Sequence, residues 1–254
     1  SSDTLKMNEI GDVEIASDIP LVMRPYSDDR EFGNFILVDR LTLKTVGAGM
    51  IRHSLRRASN VTHQDYEVDK VQRSAQKNQK SRVVWLTGLS GSGKSTIANA
   101  LEKRLFAQGA HAYVLDGDNL RHGLNVDLGF SDHDRAENVR RVGEVALLLA
   151  DAGFVVFVPI ISPFFAGRQA VRQRHESSGL GFAEVFIATS VEECAQRDTK
   201  GLYAKAAKGE LTGLTGVDAP YEAPRSPEMT LLTSQRSVET CAEELLSGMS
   251  HLWS

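Results

Sequence analysis

The chain has 254 residues, of which 41% are hydrophobic and 24% are charged. This is the composition of an ordinary globular protein, and it excludes a collagen-like, low-complexity or wholly disordered chain. The formal net charge of −4 argues against bulk electrostatic binding of nucleic acid, so an anionic ligand requires a local site. The longest apolar runs, such as residues 155–161, are far shorter than a membrane span. We therefore expect neither nucleic acid nor a membrane among the partners.

The N-terminus and the cysteines bear on origin and compartment. The first residues have neither an initiator Met nor the apolar core of a signal peptide, which predicts a fragment of a longer protein. Cys194 and Cys241 are far apart in sequence and lack the spacing of a metal site, so we expect neither a disulfide nor a metal there. These features predict a cytoplasmic protein.

Residues 1–70 have the pattern of part of an all-β unit. Turn-forming segments separate short β-type runs at residues 13–15, 21–23, 35–38 and 41–43. A unit of about 70 residues is marginal as an independent fold, which predicts the remnant of a larger domain. Residues 71–80 are nearly free of bulky apolar side chains and predict a linker.

Residues 81–254 alternate between apolar strands and amphipathic helices. Predicted strands lie at residues 83–87, 111–115, 155–161, 182–188 and 231–232, and predicted helices include 97–105, 139–152 and 237–253. This alternation is typical of an α/β fold in which helices cover both faces of a parallel sheet. We expect that fold class from residue 81 to the C-terminus.

The most specific motif is the glycine-rich sequence from Gly88 to Thr96. It fits G-x-x-x-x-G-K-[ST] and lies between an apolar strand and an amphipathic helix, which is the context of a phosphate-binding loop. Its glycines let backbone N–H groups point into one concavity, and the helix adds the positive end of its dipole. Lys94 can reach the β- and γ-phosphates, and the Ser95 hydroxyl can bind Mg²⁺. The predicted loop residues are Gly88, Ser90, Gly91, Ser92, Gly93, Lys94, Ser95 and Thr96.

The sequence contains no Asn-Lys-x-Asp or Thr-Lys-x-Asp element that would read guanine. A GTPase switch is therefore disfavoured. We expect a compact P-loop kinase that uses ATP and Mg²⁺ on a small molecule.

A candidate acceptor site follows the predicted strand at 111–115. Asp116 and Asp118 flank Gly117 there, and ligands of parallel sheets bind beyond the carboxyl ends of the strands. One carboxylate can orient Mg²⁺ and the other can accept a proton from an attacking hydroxyl. The alternative is a simple Asx turn between strand and helix.

Further candidates lie downstream. Arg121 and Arg135 are candidates to clamp an anionic acceptor. Ser162 either contacts the acceptor or caps the next helix. The basic segment at 196–208, with the Gly-, Thr- and Pro-rich sequence up to residue 227, suits a lid that excludes water; an ordinary exposed helix and loop is the alternative.

In combination these motifs resemble the adenylylsulfate kinase (APS kinase) family from about Lys80 to the C-terminus. The resemblance is carried by Gly88–Thr96, Asp116–Asn125, Asp127–Ser131, Arg135–Arg141, Ile161–Pro163, Lys200–Tyr203 and Ala219–Pro224. It implies transfer of the ATP γ-phosphoryl group to the ribose 3′-hydroxyl of adenylyl sulfate, giving 3′-phosphoadenylyl sulfate and ADP. The alternatives are another small-molecule P-loop kinase and a non-catalytic nucleotide-binding module.

The resemblance also implies roles for single residues. Asp118 matches the residue that orients or deprotonates the 3′-hydroxyl, with Asp116 near Mg²⁺ and Arg197 at the nucleotide. In some accounts of the family the serine matching Ser162 forms a phosphoenzyme, although direct in-line transfer is physically simpler. The implied catalytic residues are Lys94, Asp116, Asp118 and Ser162. The implied binding residues for adenylyl sulfate are Asp116, Asp118, Asn119, Arg121, Phe130, Arg135, Asn138, Ile161, Ser162, Lys200, Gly213 and Leu214.

Two positions depart from the family pattern. Thr199 stands where Pro is frequent, and Leu214 replaces a usual Phe. The leucine lacks an aromatic face for stacking on adenine, so adenine affinity or substrate inhibition is expected to differ.

The N-terminal residues resemble the last β-barrel of elongation-factor-Tu-like GTPases. The resemblance is carried by Arg24–Tyr26, Arg30–Asp39 and Thr45–Ile51. It implies an incomplete barrel from a sulfate adenylyltransferase GTPase subunit that is fused to the kinase. Sulfate adenylyltransferase subunits are thus expected partners, together with a second copy of the chain in a homodimer. GTP hydrolysis is not expected here, because the GTPase motifs are absent.

Overall fold

A computed structural model of the chain describes residues 9–13, 15, 17, 21–52, 64 and 66–249. The chain divides into two compact units, with the boundary between residues 65 and 66. In the described part of the chain, no helix is both long enough and apolar enough to cross a membrane.

The first unit contains an antiparallel hairpin of β1 (Asn34–Val38) and β2 (Thr45–Met50). The predicted strand at 35–38 is therefore confirmed, whereas residues 21–23 and 41–43 are not strands. Residues 41–43 belong to the turn of the hairpin, where the Asp39 carboxylate accepts hydrogen bonds from the backbone N–H groups of Leu41 (3.1 Å) and Thr42 (2.6 Å). The predicted run at 13–15 lies partly outside the described residues.

A helix, α1 (Lys70–Gln76), occupies most of the segment predicted as a linker. It begins with a capping box, in which Gln72 N–H donates to the Asp69 carboxylate (2.8 Å) and Asp69 N–H donates to the Gln72 side chain (2.9 Å). Polar side chains suffice for this short helix because its contacts with the rest of the second unit are made by charged groups.

The second unit is built on five parallel strands in the order β4-β5-β3-β6-β7. Its strands are β3 (Arg82–Thr87), β4 (Ala112–Val114), β5 (Val155–Pro159), β6 (Gly181–Ile187) and β7 (Met229–Leu231). The helices after α1 are α2 (Lys94–Ala107), α3 (Gly117–Leu120), α4 (Asp132–Asp151), α5 (Phe165–Ser177), α6 (Val191–Arg197), α7 (Leu202–Ala207) and α8 (Val238–Gly248). The predicted α/β fold with a parallel sheet is confirmed.

Helices cover both faces of this sheet, as predicted. On one face, α2 and α8 place Leu101 and Leu245 against Phe157; on the other, α4 and α5 place Val142 and Val171 in a second cluster. Because all strands are parallel, the segments that follow β3, β4 and β5 lie at the same edge of the sheet. The candidate site lies there.

Candidate active site

The glycine-rich loop after β3 has the backbone that a phosphate cradle requires. Gly88 and Gly91 have φ angles of +154° and +77°. A Cβ atom at these positions would lie 2.6 Å from the Ile187 carbonyl oxygen and 3.1 Å from the Cys194 carbonyl oxygen. Only glycine therefore fits without a shift of neighbouring backbone. The loop leads into α2, whose first turn has no side-chain cap, so its N–H groups are available to an anion.

Lys94 lies inside this loop with its side chain buried. Its Nζ donates to the Leu89 carbonyl oxygen (2.6 Å) and lies 3.4 Å from Ser92 Oγ. Burial lowers the pKa of Lys94 to about 8. The ammonium group has no carboxylate partner among its hydrogen bonds, so the phosphates of a nucleotide would supply the missing negative charge.

Arg197 of α6 lies beside the same loop. Its guanidinium donates to the Ser92 carbonyl oxygen (3.3 Å), to Thr233 Oγ1 (3.0 Å) and to the Thr233 carbonyl oxygen (3.1 Å). It also pairs with Glu193. The structure thus brings Arg197 to the loop, where the family resemblance expects it.

Asp116 connects the phosphate loop with the candidate acceptor site. One carboxylate oxygen accepts from Asp118 N–H (2.9 Å) and caps α3, while the other accepts from Ser95 Oγ (2.6 Å). The Asx turn and the functional interpretation are therefore compatible, because they use different oxygens of one carboxylate. Among the described residues, no group of three or more His, Cys, Asp or Glu side chains has the arrangement of a metal site.

Asp118 forms an ion pair with Lys200 across a groove of about 590 Å³. Both side chains are more than half exposed. The same groove is lined by Ser95, Asp116 and Asn119. Five residues that were predicted from three separate segments of the sequence thus share one groove.

Phe130 lies in the loop that precedes α4 and is 71% exposed. The Arg121 guanidinium lies 4.4 Å from its ring centroid and donates to the carbonyl oxygens of Leu128 and Gly129, each at 3.0 Å. Arg135 donates to the Phe130 carbonyl oxygen (2.8 Å) and also bonds Gly213 O and Thr215 Oγ1. Both arginines, predicted to clamp an anion, here brace an exposed aromatic ring.

Ser162 is 1% exposed, and its φ angle is +42°. Its hydroxyl accepts from the Trp85 indole N–H (3.0 Å) and donates to Thr87 Oγ1 (3.0 Å). The alternative that Ser162 caps α5 is wrong, because the residue at the N-cap position is Phe164 and it makes no side-chain cap. Thr87 Oγ1 in turn donates to the carbonyl oxygen of Ile161 (2.6 Å).

The side chains of Asn138 and Leu214 are buried, although the resemblance implies that both residues bind the substrate. Asn138 is 5% exposed and accepts a hydrogen bond from the Asn125 amide (2.9 Å). Leu214 is 7% exposed and packs in a cluster with Leu89, Cys194 and Tyr203. The backbone N–H groups of Gly213 (2.7 Å) and Leu214 (2.6 Å) donate to the Asp218 carboxylate. The Leu214 side chain therefore faces this cluster.

Three side chains next to the acceptor site were not predicted from the sequence. Trp85 and Thr87 hold Ser162 in place, and Arg168 of α5 donates to the Ser162 carbonyl oxygen (2.7 Å). The sequence offered one signal for Trp85, because a buried indole N–H needs a hydrogen-bond partner. It offered no signal for Arg168, since arginines on amphipathic helices are usually solvated.

A phosphate loop followed by two carboxylates at the carboxyl edge of a parallel sheet defines a P-loop kinase of small molecules. Residues 80–232 match the family model described as Adenylylsulphate kinase, and residues 1–52 match that described as GTP-eEF1A C-terminal domain-like. The chain belongs to the adenylylsulphate kinase family. The family predicted from the motifs is confirmed.

The similar proteins extend over both units. "Bifunctional enzyme NodQ" of Rhizobium sp. (strain N33) is 53% identical over 99% of this chain and 38% of its own length. "Bifunctional enzyme CysN/CysC" of Mycobacterium tuberculosis (strain ATCC 25618 / H37Rv) is 45% identical over 97% of this chain and 40% of its own. The chain thus spans about two fifths of the length of these curated relatives.

A solved structure matches the second unit. The Mycobacterium tuberculosis APS kinase CysC, in complex with AMPPNP and APS, is 51% identical with a TM-score of 0.65. The match covers 67% of this chain and 98% of that one. The residues beyond the N-terminal unit therefore carry a whole kinase fold.

Proposed function

We propose that the groove between Asp118 and the phosphate loop transfers the γ-phosphoryl group of ATP to the ribose 3′-hydroxyl of adenylyl sulfate. The products are 3′-phosphoadenylyl sulfate and ADP. The overall activity, ATP-dependent phosphorylation of adenylyl sulfate, follows from the family. The observation that carries the regiochemistry and the residue roles is that Asp118 and Lys200 face the same groove as Ser95 and Asp116.

Asp118 is the residue that orients the 3′-hydroxyl and accepts its proton. A carboxylate suits this role because it can hydrogen-bond the hydroxyl and take its proton as the oxygen attacks phosphorus. Lys200 forms an ion pair with this carboxylate and holds it at the groove until the substrate hydroxyl takes that position. Lys94 and the loop N–H groups hold the β- and γ-phosphates.

The oxygen donors of Ser95 and Asp116 fit Mg²⁺. The Ser95 hydroxyl and the Asp116 carboxylate, whose oxygens lie 2.6 Å apart, are hard ligands. Mg²⁺ takes its remaining ligands from water and phosphates. When bound, the ion neutralises charge on the phosphates. Ser95 and Asp116 are the residues that would hold it.

The adenine of adenylyl sulfate stacks on the Phe130 ring, since this ring is exposed and is held by its contact with the Arg121 guanidinium. Arg121 and Arg135 contact Phe130, and Asn119 lines the same groove as Asp118. Asn138, Ile161, Ser162, Gly213 and Leu214 complete the proposed site, with the Leu214 contribution limited to its backbone while its side chain is buried.

Burial supports direct transfer over a phosphoenzyme on Ser162. The Ser162 hydroxyl is 1% exposed and hydrogen-bonded to Trp85 and Thr87. A phosphorylated serine would need space and solvation for a dianion, which this position lacks.

The test of the function replaces Asp118 by Asn. We expect turnover with adenylyl sulfate to fall by about a hundredfold or more, because the proton acceptor is lost, while the Kd for ATP stays within about twofold. ADP release is measured with adenylyl sulfate and, in parallel, with gluconate, shikimate and nucleoside monophosphates. NMR of the product locates the added phosphate.

Asp127→Asn is the matched control, because Asp127 is also an exposed carboxylate paired with a cation, Arg141. It should leave turnover unchanged. Normal turnover of Asp118→Asn would remove Asp118 from the mechanism. Faster turnover of the wild-type protein with another acceptor would contradict adenylyl sulfate as the substrate.

The remaining partners and the compartment follow as proposals. The match of residues 1–52 and the bifunctional relatives support fusion to a sulfate adenylyltransferase GTPase part. Two buried free thiols, Cys194 and Cys241, suit a reducing compartment such as the cytoplasm. The homodimer stays a prediction that light scattering on the purified chain will test.

A further inference from the structure

Arg168 of α5 is a buried charge that the proposed mechanism does not use. It is 1% exposed, and its Nε donates to a carboxylate oxygen of Glu184 on β6 at 2.6 Å. Glu184 is 2% exposed. The attraction in a buried ion pair is largely offset by desolvation of both charges, so stability alone is a weak reason for this pair.

The other guanidinium nitrogens of Arg168 join two segments of chain. One donates to the Ser162 carbonyl oxygen and the other to the Glu222 carbonyl oxygen, each at 2.7 Å. Ser162 belongs to the turn after β5, and Glu222 lies at the end of the segment proposed as a lid. Two further bonds close the same junction: Glu222 N–H donates to Pro163 O (2.8 Å), and Phe165 N–H donates to the Glu222 carboxylate (2.6 Å).

The turn after β5 needs such support. The φ angle of Ser162 is +42°, which a residue with a Cβ atom adopts at an energetic cost. This angle aims the Ser162 hydroxyl at Trp85 and its carbonyl oxygen at Arg168. Without a donor at that carbonyl, the turn would lose one of the contacts that hold it in this conformation.

We propose that Arg168 is a positioning residue for adenylyl sulfate: its guanidinium fixes the acceptor-site turn at Ser162 to the lid end at Glu222. The two segments carry separate parts of the proposed substrate site, Ile161 and Ser162 on one side, Gly213 and Leu214 on the other. The planar guanidinium reaches Glu184 and both carbonyl oxygens at once, and an ammonium group at this depth lacks that geometry.

The variant that tests this is Arg168→Lys, which keeps the charge opposite Glu184 but loses the simultaneous contact with two carbonyl oxygens. We expect the KM for adenylyl sulfate and its Kd to rise about tenfold, with the KM for ATP within about twofold of wild type. Arg172→Lys is the control. Arg172 lies one turn further along α5 and pairs with Glu228 (2.6 Å) and more weakly with Glu184 (3.6 Å), without touching either segment.

Thermal unfolding of both variants separates positioning from stability. Arg168→Lys should change the adenylyl sulfate constants even when compared at temperatures equally far below each Tm, and Arg172→Lys should not. Equal changes in both KM values, unchanged constants, or the same selective effect in Arg172→Lys would overturn the proposal.

If Arg168→Lys does not fold, Glu222→Ala tests the same junction from the lid side. It removes the carboxylate that Phe165 N–H contacts and leaves the core intact. A selective rise of about threefold in the KM for adenylyl sulfate is expected, and unchanged constants would contradict the proposal. Since the inference rests on the proposed substrate site, wild-type binding is measured first. Absence of adenylyl sulfate binding would contradict the proposed function, whereas normal binding by all variants would contradict the role of Arg168 alone.

Discussion

The ring of His175, near the end of α5, is fully buried and lies 5.3 Å from the Phe182 ring, centroid to centroid. Its Nδ1 lies 2.8 Å from the Val171 carbonyl oxygen, which requires a proton on that nitrogen. Its Nε2 is buried without a hydrogen-bond partner in the described structure. Burial lowers the pKa of His175. The neutral form therefore predominates in the folded protein.

This burial predicts acid sensitivity with a definite sign. The unfolded chain takes up a proton near its ordinary pKa of about 6.5, whereas folded His175 does so only at lower pH. The free energy of unfolding should therefore fall as pH decreases below about 6.5. In His175→Leu the slope should be shallower by up to about 1.4 kcal/mol per pH unit, measured by urea unfolding between pH 7.5 and 5.5.

The control is His122→Leu, a change at an exposed position, which should keep the wild-type slope. A wild-type slope in His175→Leu would show that other groups account for the acid sensitivity.

At the scale of elements, the phosphate loop and the segment after α7 offer a matched pair of glycines. Gly91 and Gly209 have φ angles of +77° and +72°, so alanine is strained at both by about 1 kcal/mol. A Cβ atom at Gly91 would meet the Cys194 carbonyl oxygen at 3.1 Å, whereas nothing lies within 4 Å at Gly209. We expect Gly91→Ala to weaken ATP binding by about tenfold or more, and Gly209→Ala to lower only the Tm.

Calorimetric titration with ATP and thermal unfolding measure the two effects separately. An equal loss of ATP affinity in both variants would mean that backbone strain, rather than crowding inside the loop, disturbs the phosphate site.

The elements that the sequence predicts well are those with a strong apolar period. The buried strand β3 and the helix α2 fall where the apolar pattern places them, because burial decides their structure. The helix α1 was missed because a capping box and polar contacts with the rest of its own unit stabilise it, without an apolar face. Residues 41–43 were predicted as a strand because their β-branched and aliphatic pattern hides the Asx turn at Asp39.

At the scale of the whole molecule, the sequence predicts which residues meet at the site but not how they are held. Motif spacing brings Ser95, Asp116 and Asp118 together, because segments after parallel strands share one edge of the sheet. The Ser162 environment depends on Trp85 and Arg168, which lie 77 residues before it and six residues after it. Tertiary contacts of this kind leave no local pattern in one sequence.

The two-unit organisation predicts where the kinase begins. Helix α1 belongs with residues 66–254, where it contacts the C-terminal ends of α4 and α5. Lys70 donates to the Ser178 carbonyl oxygen, Arg73 pairs with Asp151 at the end of α4, and Gln79 donates to the Gly153 carbonyl oxygen at 2.7 Å. Cations at helix C-termini are stabilising, so removal of residues 66–80, which include α1 and Gln79, should cost about 2 kcal/mol.

We therefore expect a chain of residues 66–254 to retain the turnover and Tm of the kinase unit. A chain of residues 81–254 should keep its turnover at low temperature, since the lost contacts are remote from the groove, but its Tm should fall by about 4 to 8 °C. Calorimetry and ADP release on both chains measure this. Equal Tm values for the two chains would support the prediction that residues 71–80 are a linker. Loss of turnover in the longer chain would show that the N-terminal unit supports the active site.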